Sequence, residues 1–420
     1  MDARVLPAGR FRLSYTYGVA SGISEGYQSD SSKKSLTSDY NIELNSDTLK
    51  TFDPQISELI TYLNSFDGYR YDSDQKNGLL GGIVLSNDES LPTLGDAIAL
   101  GFTNVDATAS QKKHLLTFQY GLSNKVSVGF QIPYIKSNVS VKYGISGNNN
   151  ASELLDAWKS VDPGELSSVI NGLNQLSSLS TDTFQELLSD AGYSNFGDFS
   201  ETGLGDVVLG GRYNYLNLTN TQSGDWINSF QGGFTAPTGK VYDPSEITAI
   251  DFGQGVWDFG AAHLLNYTPT PWFTFQHSLN YTYRFEGELL DRVRENESDI
   301  IPDASTEEML NAKLGDKYWT AIGLKLDVTS FFSITSSYEW YWKDSDHYSG
   351  SRDKDYTHLS GDTHKYLETL QIGASFSSIK AFQDYKFPLP GDFSVNYYKP
   401  VTGKNSVIAP FVVAELALYF

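Results

Sequence analysis

The residues best equipped for chemistry in this 420-residue chain are six histidines: His114, His263, His277, His347, His358 and His364. Hydrolysis needs a nucleophile or an activated water beside a base. None of the six stands in a His-x-Ser arrangement completed by a following Asn. Catalysis is not expected, and no cofactor motif is present. His347, His358 and His364 fall near Asp344, Asp346, Asp353 and Asp355, which reads as a solvated acidic loop, with weak divalent-cation binding as the alternative. The connection Thr268–Trp272 places His263 and His277 opposite each other on one sheet face. Two imidazoles without a carboxylate or thiolate make a poor metal site, so a neutral hydrogen-bonded pair is expected and no metal.

The elements that hold these residues are read best from the end of the chain. From Phe420 backwards, Leu418, Leu416, Ala414, Val412, Pro410 and Ile408 alternate with Tyr419, Ala417, Glu415, Val413, Phe411 and Ala409. One apolar face, one mixed face and a final aromatic residue describe a strand that closes a barrel in a membrane. Composition agrees. No run of 18 apolar residues occurs, which excludes transmembrane helices, and mean hydropathy is −0.33. Barrel strands need only about 9–11 alternating residues each. Aromatics make up 14% of the chain, enough to furnish girdles at two bilayer interfaces. A net charge of −21 argues against nucleic acid as a partner. Cysteine is absent. Met1-Asp2-Ala3 reads as the start of a mature chain with an added methionine, a secretory leader having been removed.

Period-two stretches recur throughout. Arg10–Ala20 presents Phe11, Leu13, Tyr15, Tyr17 and Val19 on one face. His114–Leu122 and Val126–Ile135 form a hairpin with Leu116, Phe118, Tyr120, Val128, Phe130 and Tyr134 outward. Gly205–Leu216, Trp226–Pro237, Trp257–Tyr267, Phe273–Phe285, Tyr318–Val328, Phe332–Trp342, Tyr366–Phe376 and Phe393–Tyr397 follow. About twelve strands result, with short turns on one side and long loops on the other. A transmembrane antiparallel all-β barrel in the bacterial outer membrane is expected, a single domain with both termini periplasmic. Extracellular insertions are expected at about 22–111 and 143–203. Within them Pro54–Phe66, Ser152–Val161, Pro163–Leu179 and Asp182–Ala191 carry apolar residues at helical spacing, including Ile56, Leu59, Ile60, Leu63, Leu154, Leu155, Trp158, Leu166, Ile170, Leu173, Phe184 and Leu187. Asp53 reads as a cap for the first. Such stripes must be buried, which predicts a packed cap. Gly78–Leu85 and Leu94–Phe102 read as segments tucked into the lumen.

The faces opposite the apolar ones should line that lumen. They carry Arg12, Gln131, Asp206, Arg212, Asp258, Gln276, Arg284, Lys325, Asp327, Glu339 and Glu415. Both signs are interspersed, which fits ion pairs that cross-link the wall, or a narrow polar pathway, better than an ion-selective pore. Pro237 and Pro410 each remove a ladder hydrogen bond. They mark strand ends or a break in the wall that opens sideways to the bilayer.

Several local strings go further: Gly203-Leu204-Gly205-Asp206, Phe234 to Lys240, Gly253 to Gly260, Tyr281 to Phe285, and the start Asp2 to Gly9. In that order, with the tail, they resemble the outer-membrane family named for the MetA pathway of phenol degradation. The resemblance implies a transporter-like barrel for passive uptake of a small hydrophobic or aromatic solute. The outer-membrane barrel reading itself gives outer-membrane lipid and lipopolysaccharide as expected partners. The C-terminal aromatic Phe420 resembles the signal read by the barrel-assembly machinery, a further expected partner. The alternative is a sealed structural or surface-recognition barrel whose loops bind a partner.

Overall fold

The computed structural model describes the chain except Met1, Asp53, residues 78–80, 162–166 and 179–180, Asn195, Tyr242, residues 295–301, Asp353 and Asp355. Twelve strands make its wall: β1 (Phe11–Ile23), β2 (Ala99–Ser123), β3 (Val126–Ser146), β4 (Val207–Leu218), β5 (Asp225–Ala236) and β6 (Asp258–Thr270). Then come β7 (Phe273–Arg284), β8 (Lys317–Asp327), β9 (Phe332–Lys343), β10 (Lys365–Ser377), β11 (Gly391–Lys404) and β12 (Phe411–Tyr419). Each pairs antiparallel with its neighbours in sequence, and β12 returns to β1 through pairs from Arg12↔Tyr419 to Ala20↔Phe411. Closure is what hydrocarbon demands: with no water to satisfy a free strand edge, every ladder group must find a partner in the wall.

The pleat sorts side chains as their alternation predicts. Tyr15, Phe130, Leu324 and Leu416 are 45%, 39%, 45% and 47% exposed, whereas Ser14, Ser127, Ser229 and Ser278 on the other face are buried. Aromatic rings crowd both ends of the outer face. Trp226 and Tyr267 stack at 4.1 Å, and Phe332 meets Phe376 at 4.9 Å, near the short turns. Tyr281–Tyr318 and Trp342–Tyr366 do so near the long connections.

Two strands exceed the expected lengths. β2 and β3 run 25 and 21 residues, about twice what a bilayer requires. β2 therefore begins at Ala99, well inside the stretch read as an insertion. In the overhang the apolar residues Val105, Ala107, Val139 and Val141 take the inward parity and the outward residues Thr108, Ser110, Asn138 and Ser140 are polar, so it carries no lipid signal. On it stands a cap of five helices: α1 (Ser46–Phe52), α2 (Pro54–Asn64), α3 (Ala151–Val161), α4 (Ser167–Ser177) and α5 (Thr181–Asp190). Ile60, Leu63, Leu154, Leu155, Trp158 and Leu173 meet in its core, with Ile56, Leu59 and Ile170 packed against them. Asp53, Leu166 and Leu179, and the side chains of Phe184 and Leu187, lie outside what is described.

Ile83, Leu94, Ile98 and Leu100 belong to the same core. The two glycine-rich apolar segments, read from sequence as lumenal, thus complete the cap instead: Ile83–Leu85 pairs with Tyr69–Tyr71, and Ile98 and Leu100 lead into the overhang of β2. Burial against helices and burial in a lumen leave the same apolar signature in sequence.

Candidate functional site

The inward face of the wall divides into three levels. At the short-turn end, residues 2–10 cross the lumen before entering β1. The Leu6 amide donates to Ser127 Oγ at 2.8 Å, and the Ala8 amide to Asn124 Oδ1 at 3.0 Å. Ser229 Oγ donates to the Ala3 carbonyl, and Asn266 Nδ2 to Asp2 Oδ1 at 3.1 Å. Arg212 is the anchor: its Nη1 donates to the carbonyls of Asp2 (2.6 Å) and Arg4 (3.0 Å), while Nη2 and Nε hold Gln231 Oε1. The segment thus lies over the inner faces of β3, β4, β5 and β6. Gly121 permits the approach, because a Cβ there would land on the Pro7 carbonyl oxygen. Sequence reasoning put Arg212 in the lumen but did not place this segment there. Its signal is an unpatterned octet, Asp2 to Gly9, whose last five residues are apolar or glycine, directly ahead of a strand.

The middle level holds paired polar groups and an aromatic wall. Arg12 meets Glu415 at 2.5 Å and Gln119 at 3.1 Å, and Lys325 meets Asp327 at 2.8 Å. Ser337 Oγ donates to Glu339 Oε1 at 3.1 Å and to Gln371 Oε1 at 3.0 Å, and Gln371 Nε2 continues to Asn396 Oδ1 at 2.7 Å. Gln131 lies in register with Thr117 and Val208, and Gln276 with Asn266 and Gly323. Beside Glu339 stand four inward-pleated aromatic residues that the charge-centred reading missed. Trp319 and Tyr341 are in register on β8 and β9, and Tyr398 stacks on Phe411 at 4.5 Å and 7°. All four are half-buried. Their parity, opposite to the lipid-facing set, was the available signal.

The upper level is a set of latches. Arg284, 1% exposed, lies 3.6 Å from Asp258 and donates to Gln254 and to the Gly315 carbonyl. Asp206 accepts from the amides of Gly239 (2.9 Å) and Gln254 (2.8 Å). Asp346 binds Lys343 at 2.6 Å and the Gly315 amide at 2.7 Å, so it is a buried tie rather than part of a solvated acidic loop. These bonds tie Gly239, Gln254, Gly315 and Asp346, all from the long connections, to the upper rim of the wall. A strap at 191–194 joins the cap side to the far side of the mouth. Arg292 donates to the carbonyls of Ala191 (3.0 Å) and Gly192 (2.6 Å) and lies 4.0 Å over the Tyr193 ring. Tyr193 donates to the Pro302 carbonyl at 2.7 Å, and burial pushes its phenol pKa up.

Pro237 directly follows β5 and Pro410 directly precedes β12, both at the long-connection end. Above Phe411 the nine-residue β12 stops short of its neighbours, and Ser406–Val407 turns aside to pair with Glu25–Tyr27. The histidine pair is corrected. The β6–β7 connection is only Pro271-Trp272 rather than the five residues Thr268–Trp272, and a one-residue bulge lies between Tyr267 and Thr270, so His263 faces Leu279 and His277 faces Leu265. Each finds a hydroxyl instead: Tyr215 reaches His263 from β4, across β5, at 2.9 Å, and Thr320 meets His277 from the adjacent β8 at 3.3 Å. Among the described residues no group of three His, Cys, Asp or Glu could hold a metal ion.

Connection lengths alternate as expected up to β10, but the β10–β11 link at the short-turn end spans 378–390 and the β11–β12 link at the other end only 405–410. Closed wall and lipid-facing pleat together define a twelve-stranded outer-membrane β-barrel. An outer membrane channel from Pseudomonas putida F1 shares the fold, with a TM-score of 0.52 and 11% identity over 100% of this chain and 98% of that one. The toluene transporter TbuX of Ralstonia pickettii aligns at a TM-score of 0.33 and 10% identity, covering 99% of this chain and 90% of that one. No family model and no curated protein matches the chain, so the likeness to the phenol-degradation family is carried by the local strings alone.

Proposed function

We propose that the protein is a passive uptake channel for a small hydrophobic or aromatic solute, set in a bacterial outer membrane with both termini in the periplasm. The observation that carries this reading is the aromatic wall of Trp319, Tyr341, Tyr398 and Phe411 on the inward face. A solute with a π-face gains roughly 0.5–1.5 kcal/mol per well-placed ring contact beyond area burial. The paired charges around it leave no ladder of one sign to select an ion. The fold shared with an outer membrane channel supports the reading.

Solute captured beneath the cap would descend past the aromatic wall and leave the barrel in one of two ways. It would displace the N-terminal segment, or it would pass sideways where the wall shortens at Pro410. Pro237 and the inward polar and charged residues Arg12, Gln131, Asp206, Arg212, Asp258, Gln276, Arg284, Lys325, Asp327, Glu339 and Glu415 line or brace this route. The C-terminal strand ending in Phe420 would present itself to the assembly machinery.

The segment across the base and the strap across the mouth favour one second reading, a sealed barrel whose loops bind a partner. Uptake of labelled toluene and naphthalene by cells with and without the gene separates them. Slower uptake without it supports transport, and equal rates support the sealed barrel.

A further inference from the structure

The outer surface of the wall changes character abruptly on β2 and β3. Outward residues of β2 run Phe118, Leu116, His114, Lys112, Ser110 and Thr108 towards the long connections. Those of β3 run Phe130, Ile132, Tyr134, Lys136, Asn138 and Ser140. The continuous register keeps both series on one face and sets Lys112 directly opposite Lys136. Like charges opposite each other across a ladder destabilise it. Both lysines are exposed, and among the described residues neither joins an ion pair. Thr202 and Val19 complete the row. The row sits one step beyond His114 and Tyr134, where the apolar band ends.

Immediately beyond it is a concavity of about 420 Å³. Its lining includes Thr108, Ser110, Asn138, Ser140, Asp198 and Ser200, the outward members of β2, of β3 and of the short strand Phe199–Leu204 or its approach. Ser200 Oγ donates to Asn138 Oδ1 at 2.7 Å, and Ser140 Oγ to Asp198 Oδ1 at 3.0 Å. The pocket therefore offers hydroxyl, amide and carboxylate groups together, as a sugar ring requires. Along one line the wall presents apolar side chains, then two unpaired cations, then a hydroxyl-binding hollow.

We propose that this strip binds one phosphorylated glycolipid of the outer leaflet, of the lipopolysaccharide type. Its acyl chains lie on Leu116, Phe118, Phe130 and Ile132, a phosphate bridges Lys112 and Lys136, and the adjoining sugar enters the hollow. The inference rests on the barrel's placement in the membrane and not on what it transports. A glycerophospholipid would satisfy the lysines but leave the hollow unused.

The test is native mass spectrometry of the detergent-purified full chain, titrated with rough-type lipopolysaccharide, with the same lipid after phosphate removal, or with phosphatidylglycerol. The intact glycolipid should bind one per barrel. K112S/K136S should weaken it about thirtyfold, as expected for two lysines against an anionic headgroup. N138A/S200A should weaken it while leaving phosphatidylglycerol binding unchanged. Equal binding to wild type and K112S/K136S, or no preference over phosphatidylglycerol or the dephosphorylated lipid, would overturn the proposal. Heat-modifiable migration of each variant reports separately whether the barrel has formed, so misfolding is not mistaken for loss of the site.

Discussion

Removing the Arg212 guanidinium should release the segment that crosses the base of the lumen. Arg212 gives that segment two charge-assisted hydrogen bonds, to the carbonyls of Asp2 and Arg4. Bonds of this kind contribute about 1.5–3 kcal/mol each, so Arg212→Ala costs the docked state at least roughly 3 kcal/mol. Docking is already opposed by the ordering of residues 2–9, at about 1 kcal/mol or more apiece. The bonds from Ser229, Asn266 and Ser127 cannot easily absorb the loss. About 3 kcal/mol is roughly a hundredfold shift towards the undocked state. Because the chain has no cysteine, Val5→Cys provides a single reporter. In proteoliposomes, its labelling by a water-soluble maleimide should accelerate by up to about two orders of magnitude on the Arg212→Ala background. Single-channel conductance should rise in parallel. An unchanged labelling rate would refute the assignment of Arg212 as anchor, and faster labelling at constant conductance would refute the segment as an obstruction.

Gly121→Ala should act in the same direction, because its new Cβ collides with the Pro7 carbonyl; maleimide access to Val5→Cys again reads it. Trp319→Ala with Tyr398→Ala should slow aromatic uptake about tenfold, as two lost ring contacts imply, without lowering ion conductance. Equal uptake by the double variant would remove the aromatic wall from the path. Arg292→Ala should free the strap at 191–194 and raise conductance from the long-connection side, as should deletion of 152–191; a flat current trace in both cases counts against an occluded mouth. Leu324→Arg should destabilise the barrel by about 2–4 kcal/mol in lipid, whereas Lys325→Leu should cost far less. Urea unfolding in bilayers ranks the two, and the opposite order would reverse the pleat.

Much of the wall was legible because a single rule governs it: every second residue must suit hydrocarbon. Phe11 to Val19, Phe130 to Tyr134 and Leu416 to Leu418 obey that rule with no help from context. What escaped is what the rule does not touch. In the overhang of β2 and β3 the outward face is polar and the apolar residues, such as Val105, Ala107, Val139 and Val141, take the inward parity, the reverse of the rule, so Ala99–Gln111 reads as loop. Ile98 and Leu100 could be buried by helices or by a lumen, and only the partners decide. The two histidines were misaligned because the strands run on to a two-residue turn at Pro271-Trp272 and carry a one-residue bulge before it, neither of which changes a residue type. Residues 2–9 are held in place by carbonyls and amides, groups every sequence has. At the candidate site, charge drew attention to Arg284 and Asp258, which latch loops. The aromatic residues Trp319 and Tyr398 were hidden among many others.

The account's central claim is the direction of the pleat, and site-directed fluorescence quenching tests it most directly. Single cysteines at Tyr15, Phe130, Leu324 and Leu416, and at their neighbours Ser14, Gln131, Lys325 and Glu415, would each carry a small fluorophore in liposomes. Brominated acyl chains should quench the first four and leave the second four bright. The reverse pattern, or no contrast between the two sets, would contradict the barrel as described.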